Sequence, residues 1–267
     1  MQTTLCRVHL MKSTVPGHLI LLILLAAAIF LAGCATSRQD RERAASHVTM
    51  GTAYLGSEQF SPALREFLIA QRLSPNDPEI QYYTGLSYYG IGLKKEAQQQ
   101  FQAALSIKQD YSEAHTYLGI IYLEKGLYDR AIEEFDRALS NMLYETPAIA
   151  LNNIGWAYYK KGDPQTALTK YEAALRREPN TVIRPLIQQN RGIAYLAVHN
   201  IDKAIYYLKK SIDRAPGRAD ARYWLGISYL EGGNREKAIQ ELRLAIKTNP
   251  ESEFGLKALE KLNSLVP

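Results

Sequence analysis

Few side chains in this sequence could do chemistry. Beyond position 34 there are three histidines, His47, His115 and His199, and no two of them stand at metal-ligand spacing. Adjacent acids such as Glu133 and Glu134 alternate with Arg and Lys, which is the pattern of solvated charge on a helix face. Gly90-Ile91-Gly92 and Gly232-Gly233 lack the strand and lysine of a phosphate loop and read as turns. No nucleophile elbow, metal cluster or cofactor motif appears, so the expectation is a chain that is not an enzyme and needs no metal or cofactor. The residue with the clearest chemical prospect is Cys34, whose thiol follows Leu31-Ala32-Gly33 and could be acylated.

What precedes Cys34 supports that prospect. Arg7 and Lys12 are the only charged residues before position 38, and an apolar run of 14 residues extends from Leu19 to Ala32. At 1.5 Å per residue such a run falls short of a hydrocarbon core of about 30 Å and suits the apolar region of a signal peptide. Met11 is an alternative start, with Lys12 then supplying the charge. The Leu31-Ala32-Gly33-Cys34 stretch resembles the bacterial lipobox, which implies cleavage after residue 33 and a lipid anchor on Cys34. Ala35 rather than Asp after the cysteine implies, by the same resemblance, the outer membrane at its periplasmic face. Residues 34–43 are then expected to form a polar tether. Cys6 lies in the removed segment, so no disulfide is expected and packing alone must hold the fold.

The remaining residues must be positioned by repeated elements. A glycine followed three residues later by tyrosine recurs at Gly51, Gly85, Gly119, Gly155, Gly192 and Gly226, with spacings of 34, 34, 36, 37 and 34 residues. Twelve residues after each glycine stands an alanine, from Ala63 to Ala238. Four further on comes Phe67, Phe101, Phe135, Tyr171, Leu208 or Leu242, and then a small residue such as Ala70 or Ser211. Small residues let two antiparallel helices approach, and the large apolar residue fills the space beside the crossing. Pro75, Pro179, Pro216 and Pro250 close four of the six units, while Gln109 and Leu143 occupy that place in the other two.

This pattern resembles the tetratricopeptide repeat. The resemblance implies an all-α, right-handed superhelical solenoid of six repeats, at 44–77, 78–111, 112–145, 148–181, 185–218 and 219–252. Residues 253–267 are expected to form a capping helix through Phe254, Ala258, Leu262 and Leu265, with Leu259 beside them. The extra residues at 146–147 and 182–184 should change the local curvature. With the glycine as the eighth position, the fifth, ninth and twelfth positions of each first helix form a stripe on the concave side. Its candidate partner-binding residues are Tyr82, Leu86, Tyr89, Ile120, Leu123, Asn152, Trp156, Tyr159, Ile193 and Tyr223. Asn152 and Asn153 could bond a ligand backbone. An apolar, aromatic patch of this kind suits a protein partner. The fifth positions carry no lysine, so a clamp for acidic chaperone tails is not expected.

Composition agrees with a folded binding protein. Hydrophobic residues make up 46% and charged residues 22%, and 18 tyrosines outnumber 6 phenylalanines. The net charge of +5 arises from interleaved acids and bases, without the basic stripe that nucleic acid would demand. An acylated cysteine followed by about six such repeats also resembles the type IV pilus pilotin lipoproteins. The segments Tyr144-Glu145-Thr146-Pro147 and Asn153-Ile154-Gly155-Trp156 look like their delta-proteobacterial gliding-motility branch. That resemblance implies an outer-membrane secretin subunit as partner, held while it assembles. A scaffold for peptidoglycan hydrolases is the alternative.

Overall fold

The computed structural model describes residues 38–265; Cys34, the signal segment and the first four tether residues lie outside them. Thirteen helices and no strand occur among the described residues. They pair as hairpins: α1 (Arg38–Gly56) with α2 (Phe60–Leu73), α3 (Pro78–Ile91) with α4 (Lys94–Ile107), and α5 (Ser112–Glu124) with α6 (Tyr128–Ser140). The pairs continue with α7 (Pro147–Lys160) and α8 (Pro164–Arg177), α9 (Arg184–Ala197) and α10 (Ile201–Arg214), and α11 (Ala219–Glu231) and α12 (Arg235–Thr248). A single helix, α13 (Glu253–Leu265), ends the array. Residues 38–43, expected as tether, are instead the first turns of α1. Alternating charges explain the difference, since Arg38 and Glu42 pair at 2.8 Å across one helical turn.

The repeated residues meet within each hairpin. Gly51, Gly85, Gly119 and Gly155 lie over the rings of Phe67, Phe101, Phe135 and Tyr171, where an added Cβ would fall 2.6 or 2.7 Å from a ring carbon. Gly192 and Gly226 lie over Leu208 and Leu242 in the same way. All six large residues, and the alanines from Ala63 to Ala238 four positions before them, are fully buried. The close approach demanded by glycine therefore sets each crossing. Tyr171 is the exception in chemistry: its hydroxyl is buried without a hydrogen-bond partner. Because a buried hydroxyl left unbonded costs about 1–3 kcal/mol, Tyr171→Phe should leave the fold intact and raise stability by up to about 1 kcal/mol, as a thermal melt would record.

The turns between paired helices follow one pattern. The residue seven after each repeat glycine adopts positive φ at Glu58, Gly92, Gly126, Gly162, His199 and Gly233. The next N–H then reaches five residues back, as Leu93 does to the Tyr88 carbonyl at 2.9 Å and Asn200 to that of Tyr195 at 2.9 Å. Four repeats place glycine where the left-handed conformation requires it, but Glu58 and His199 carry a Cβ there. Glu58→Gly and His199→Gly should each stabilise the chain by about 0.5–1 kcal/mol, measured as a shift of the denaturation midpoint. A loss of stability at either position would mean that its side chain supports the turn more than its backbone strains it.

Four residues before the glycine and fifteen after it, a second repeated pair ties the two helices. His47 Nδ1 lies 2.7 Å from Glu66 Oε2, His115 Nδ1 lies 2.7 Å from Glu134 Oε2, and Arg222 donates to Glu241 at 3.1 Å. His115 Nε2 also lies 2.9 Å from the Gln109 carbonyl, which anchors the junction that lacks a proline. Glu134, expected as solvated charge beside Glu133, is instead buried at 7% exposure because His115 receives it.

Consecutive first helices approach one another across repeats, as α3 does α1, α7 does α5, and α9 does both α7 and α11. The second helices make no comparable approach. First helices thus lie on the inner side of the curve and present their free faces there. Helix α13 packs on α12 and also leans over α11, burying Ala258 with Leu242 and Ala245. Leu265 joins that contact, whereas Leu259 remains 44% exposed. Gly255 permits the approach, since a Cβ there would fall 2.0 Å from the Asn249 carbonyl oxygen.

Candidate protein-binding groove

The inner face carries two aromatic concavities. The first lies in the second to fourth repeats, where Tyr82 of α3 meets Tyr117 of α5 edge-on at 6.0 Å and Tyr111 at 5.1 Å. Tyr89 meets Tyr117 edge-on at 5.8 Å, and Tyr117 stacks on the buried Phe101 at 5.4 Å. A cavity of about 290 Å³ opens beside these rings, with Ile120, Tyr144, Thr146 and Ile149 completing its walls. Burial is the largest influence on the Tyr82 and Tyr117 hydroxyls and raises both above the usual phenol range, Tyr82 far more.

The second concavity, of about 510 Å³, is framed by α7, α9, α11 and α13. Trp156 stacks on Tyr159 at 5.1 Å and carries the Lys160 ammonium 4.9 Å from its ring centre. Trp224 and Phe254 face it from the far side. The floor is polar: the Asn190 side-chain amide donates to Asn152 Oδ1 at 2.9 Å, and the Gln189 amide donates to Asp220 at 3.0 Å. Arg218 closes that network through Gln189 at 2.9 Å and Asp220 at 2.6 Å.

The ten stripe residues fall into two groups. Tyr82, Leu86, Tyr89, Ile120, Leu123, Trp156, Tyr159 and Tyr223 are half-buried on the inner face. Asn152 and Ile193 are not free surface residues, with exposures of 3% and 2%. They form the floor of the second concavity because α9 packs closely on α7, so Asn152 spends its carbonyl on Asn190 rather than on a ligand. Tyr159 also leans on the core of the fourth repeat, and Tyr223 on that of the sixth, whereas Trp156 belongs to no core cluster. Sequence reasoning missed Glu113, Tyr117, Tyr144, Trp224 and Phe254. Tyr117 and Trp224 occupy the sixth position, two before the repeat glycine, and Glu113 the second. Reading those positions together with the fifth and ninth would have found them.

Family models described as tetratricopeptide repeat match residues 48–112, 110–180 and 195–260, which together span most of the chain. The protein belongs to the tetratricopeptide-repeat family. Among solved structures, this repeat protein is similar to PilF of Pseudomonas aeruginosa, with a TM-score of 0.71 at 15% identity over 84% of this chain and 100% of that one. It is similar to PilW, described as a widely conserved type IV pilus biogenesis factor, with a TM-score of 0.72 at 22% identity over 81% of this chain and 98% of that one. A third likeness is to the Cut9–Hcn1 hetero-tetramer, with a TM-score of 0.76 at 20% identity. There 92% of this chain spans only 46% of the other. No curated protein matches by sequence. At these identities the likenesses establish the solenoid fold alone; it is the repeat family matched along the chain that is a scaffold for protein partners.

Proposed function

We propose that this protein is an outer-membrane lipoprotein that acts as a pilotin, holding a type IV pilus secretin subunit in its groove during assembly. The observation that carries the reading is mutual: nearly the whole length of PilF and of PilW corresponds to this one solenoid, and PilW is described as a type IV pilus biogenesis factor. The lipobox-like stretch ending at Cys34 supports the anchor, and the two aromatic concavities support a bound segment.

Crosslinking of the native protein in its own membranes, followed by affinity capture, is expected to recover the secretin subunit. Trp156→Ala should reduce that capture by about tenfold or more, as an aromatic anchor at an interface would. It should shift the melting temperature only slightly, because Trp156 stands outside every core cluster. Secretin multimers forming normally in the Trp156→Ala strain would remove the groove from the assembly step. Recovery of peptidoglycan hydrolases in place of secretin would replace the pilotin reading with that of a cell-wall scaffold.

A further inference from the structure

We infer that the cavity between α3, α5 and the start of α7 receives one arginine side chain of the bound partner segment. The inference rests on the protein-binding reading of the groove and adds the chemistry of the segment. The cavity has ring walls in Tyr82, Tyr117 and Tyr144, and carboxylates in Glu113 and Glu145. The Tyr144 hydroxyl shares a 2.8 Å hydrogen bond with Thr116 Oγ1, and both residues are buried, so that wall is fixed in place.

The acidic charge lining this cavity, from half-buried Glu113 and exposed Glu145 at its rim, is unmatched. Elsewhere on the same face Glu124 is neutralised, with Lys94 at 2.9 Å and the Tyr89 hydroxyl donating to it at 2.6 Å. Neither the Glu113 nor the Glu145 side chain has an ion-pair or hydrogen-bond partner among the described residues. After burial, the charge of Glu113 contributes to raising the hydroxyl pKa of Tyr82, Tyr83, Tyr111 and Tyr144 alike. Its negative potential therefore reaches two of the three ring walls of the cavity, Tyr82 and Tyr144.

Aromatic faces beside unpaired carboxylates favour a cation that is flat and weakly hydrated. A guanidinium stacks on a tyrosine ring while its N–H fork reaches a carboxylate, and it gives up less hydration than an ammonium on entering a half-buried site. The cavity volume of about 290 Å³ accommodates one such side chain and its stem, with Ile120 and Ile149 left to contact the methylenes.

The test uses the full-length protein with N-acetyl-arginine amide and its uncharged isostere N-acetyl-citrulline amide, read by the ring resonances of Tyr82, Tyr117 and Tyr144 in NMR titrations. Saturable shifts at millimolar arginine amide, absent with citrulline amide, are expected. Glu113→Gln combined with Glu145→Gln should weaken the arginine response by about tenfold, with an unchanged thermal melt. Equal responses to the two probes, or an arginine response untouched by the double substitution, would overturn the inference. So would tighter binding of N-acetyl-lysine amide. The outcome is separable from the pilotin reading: failure of the arginine probe alongside normal secretin capture would refute the arginine site alone.

Discussion

Gly155→Leu is expected to disrupt the fourth repeat outright. The first carbon of the new side chain would already lie 2.6 Å from the Tyr171 ring, and Tyr171 is fully buried against Ala148, Ala167 and Ala174. Overpacking a close crossing costs about 1–3 kcal/mol even when the surroundings give way, and leucine adds three carbons beyond the one that clashes. Ala167→Phe should act alike, since Ala167 is fully buried at the same crossing. A solenoid couples each unit to its neighbours alone, so hydrogen exchange should quicken in α7 and α8, less in α6 and α9, and hardly at all in α1 to α3. Gly56→Ala is the matching control, because nothing lies within 4 Å of a Cβ there. Uniform loosening from residue 38 to 265 would instead mean that the six hairpins unfold as a single cooperative block.

On the proposed lipoprotein reading, Cys34→Ala is expected to release the protein from the membrane into the soluble periplasm. Several acyl chains, each contributing about 0.8 kcal/mol per buried methylene, hold a lipoprotein on a bilayer almost permanently, and removing the thiol removes all of them. The cysteine precedes the first core residue, Ala44, so the melt of the solenoid should not change. Metabolic labelling with palmitate and fractionation of the envelope measure the effect directly. Label retained by the mutant, or wild-type protein recovered wholly in the soluble fraction, would refute the assignment of Cys34.

The architecture was legible because the same physical demand repeats six times. Gly51, Ala63 and Phe67 mean little alone, but their recurrence fixes the crossing in every hairpin. The groove was only partly legible. A stripe at the fifth, ninth and twelfth positions assumes that each first helix stands alone, and it therefore misses that Asn152 of α7 and Ile193 of α9 are buried where first helices pack together. Nor could it anticipate that Tyr144, from the irregular junction after α6, would swing into the wall beside Thr116. The pairing of His115 with Glu134 escaped notice for the same reason: each lies in a different helix, and neither announces its partner in a local pattern.

The early start of α1 bears on mechanics. Only three residues separate Cys34 from Arg38, and four Cα steps reach at most about 14 Å. With Cys34 acylated, the solenoid would hang on a short leash, unable to sample the depth of the periplasm. Its two aromatic concavities would then be graded by distance from the bilayer, the tyrosine cavity nearer and the tryptophan cavity farther. A captured subunit would thus be delivered in a defined direction, and lengthening the leash with a flexible insert after Ser37 would dilute that directional hold without altering a single contact in the groove.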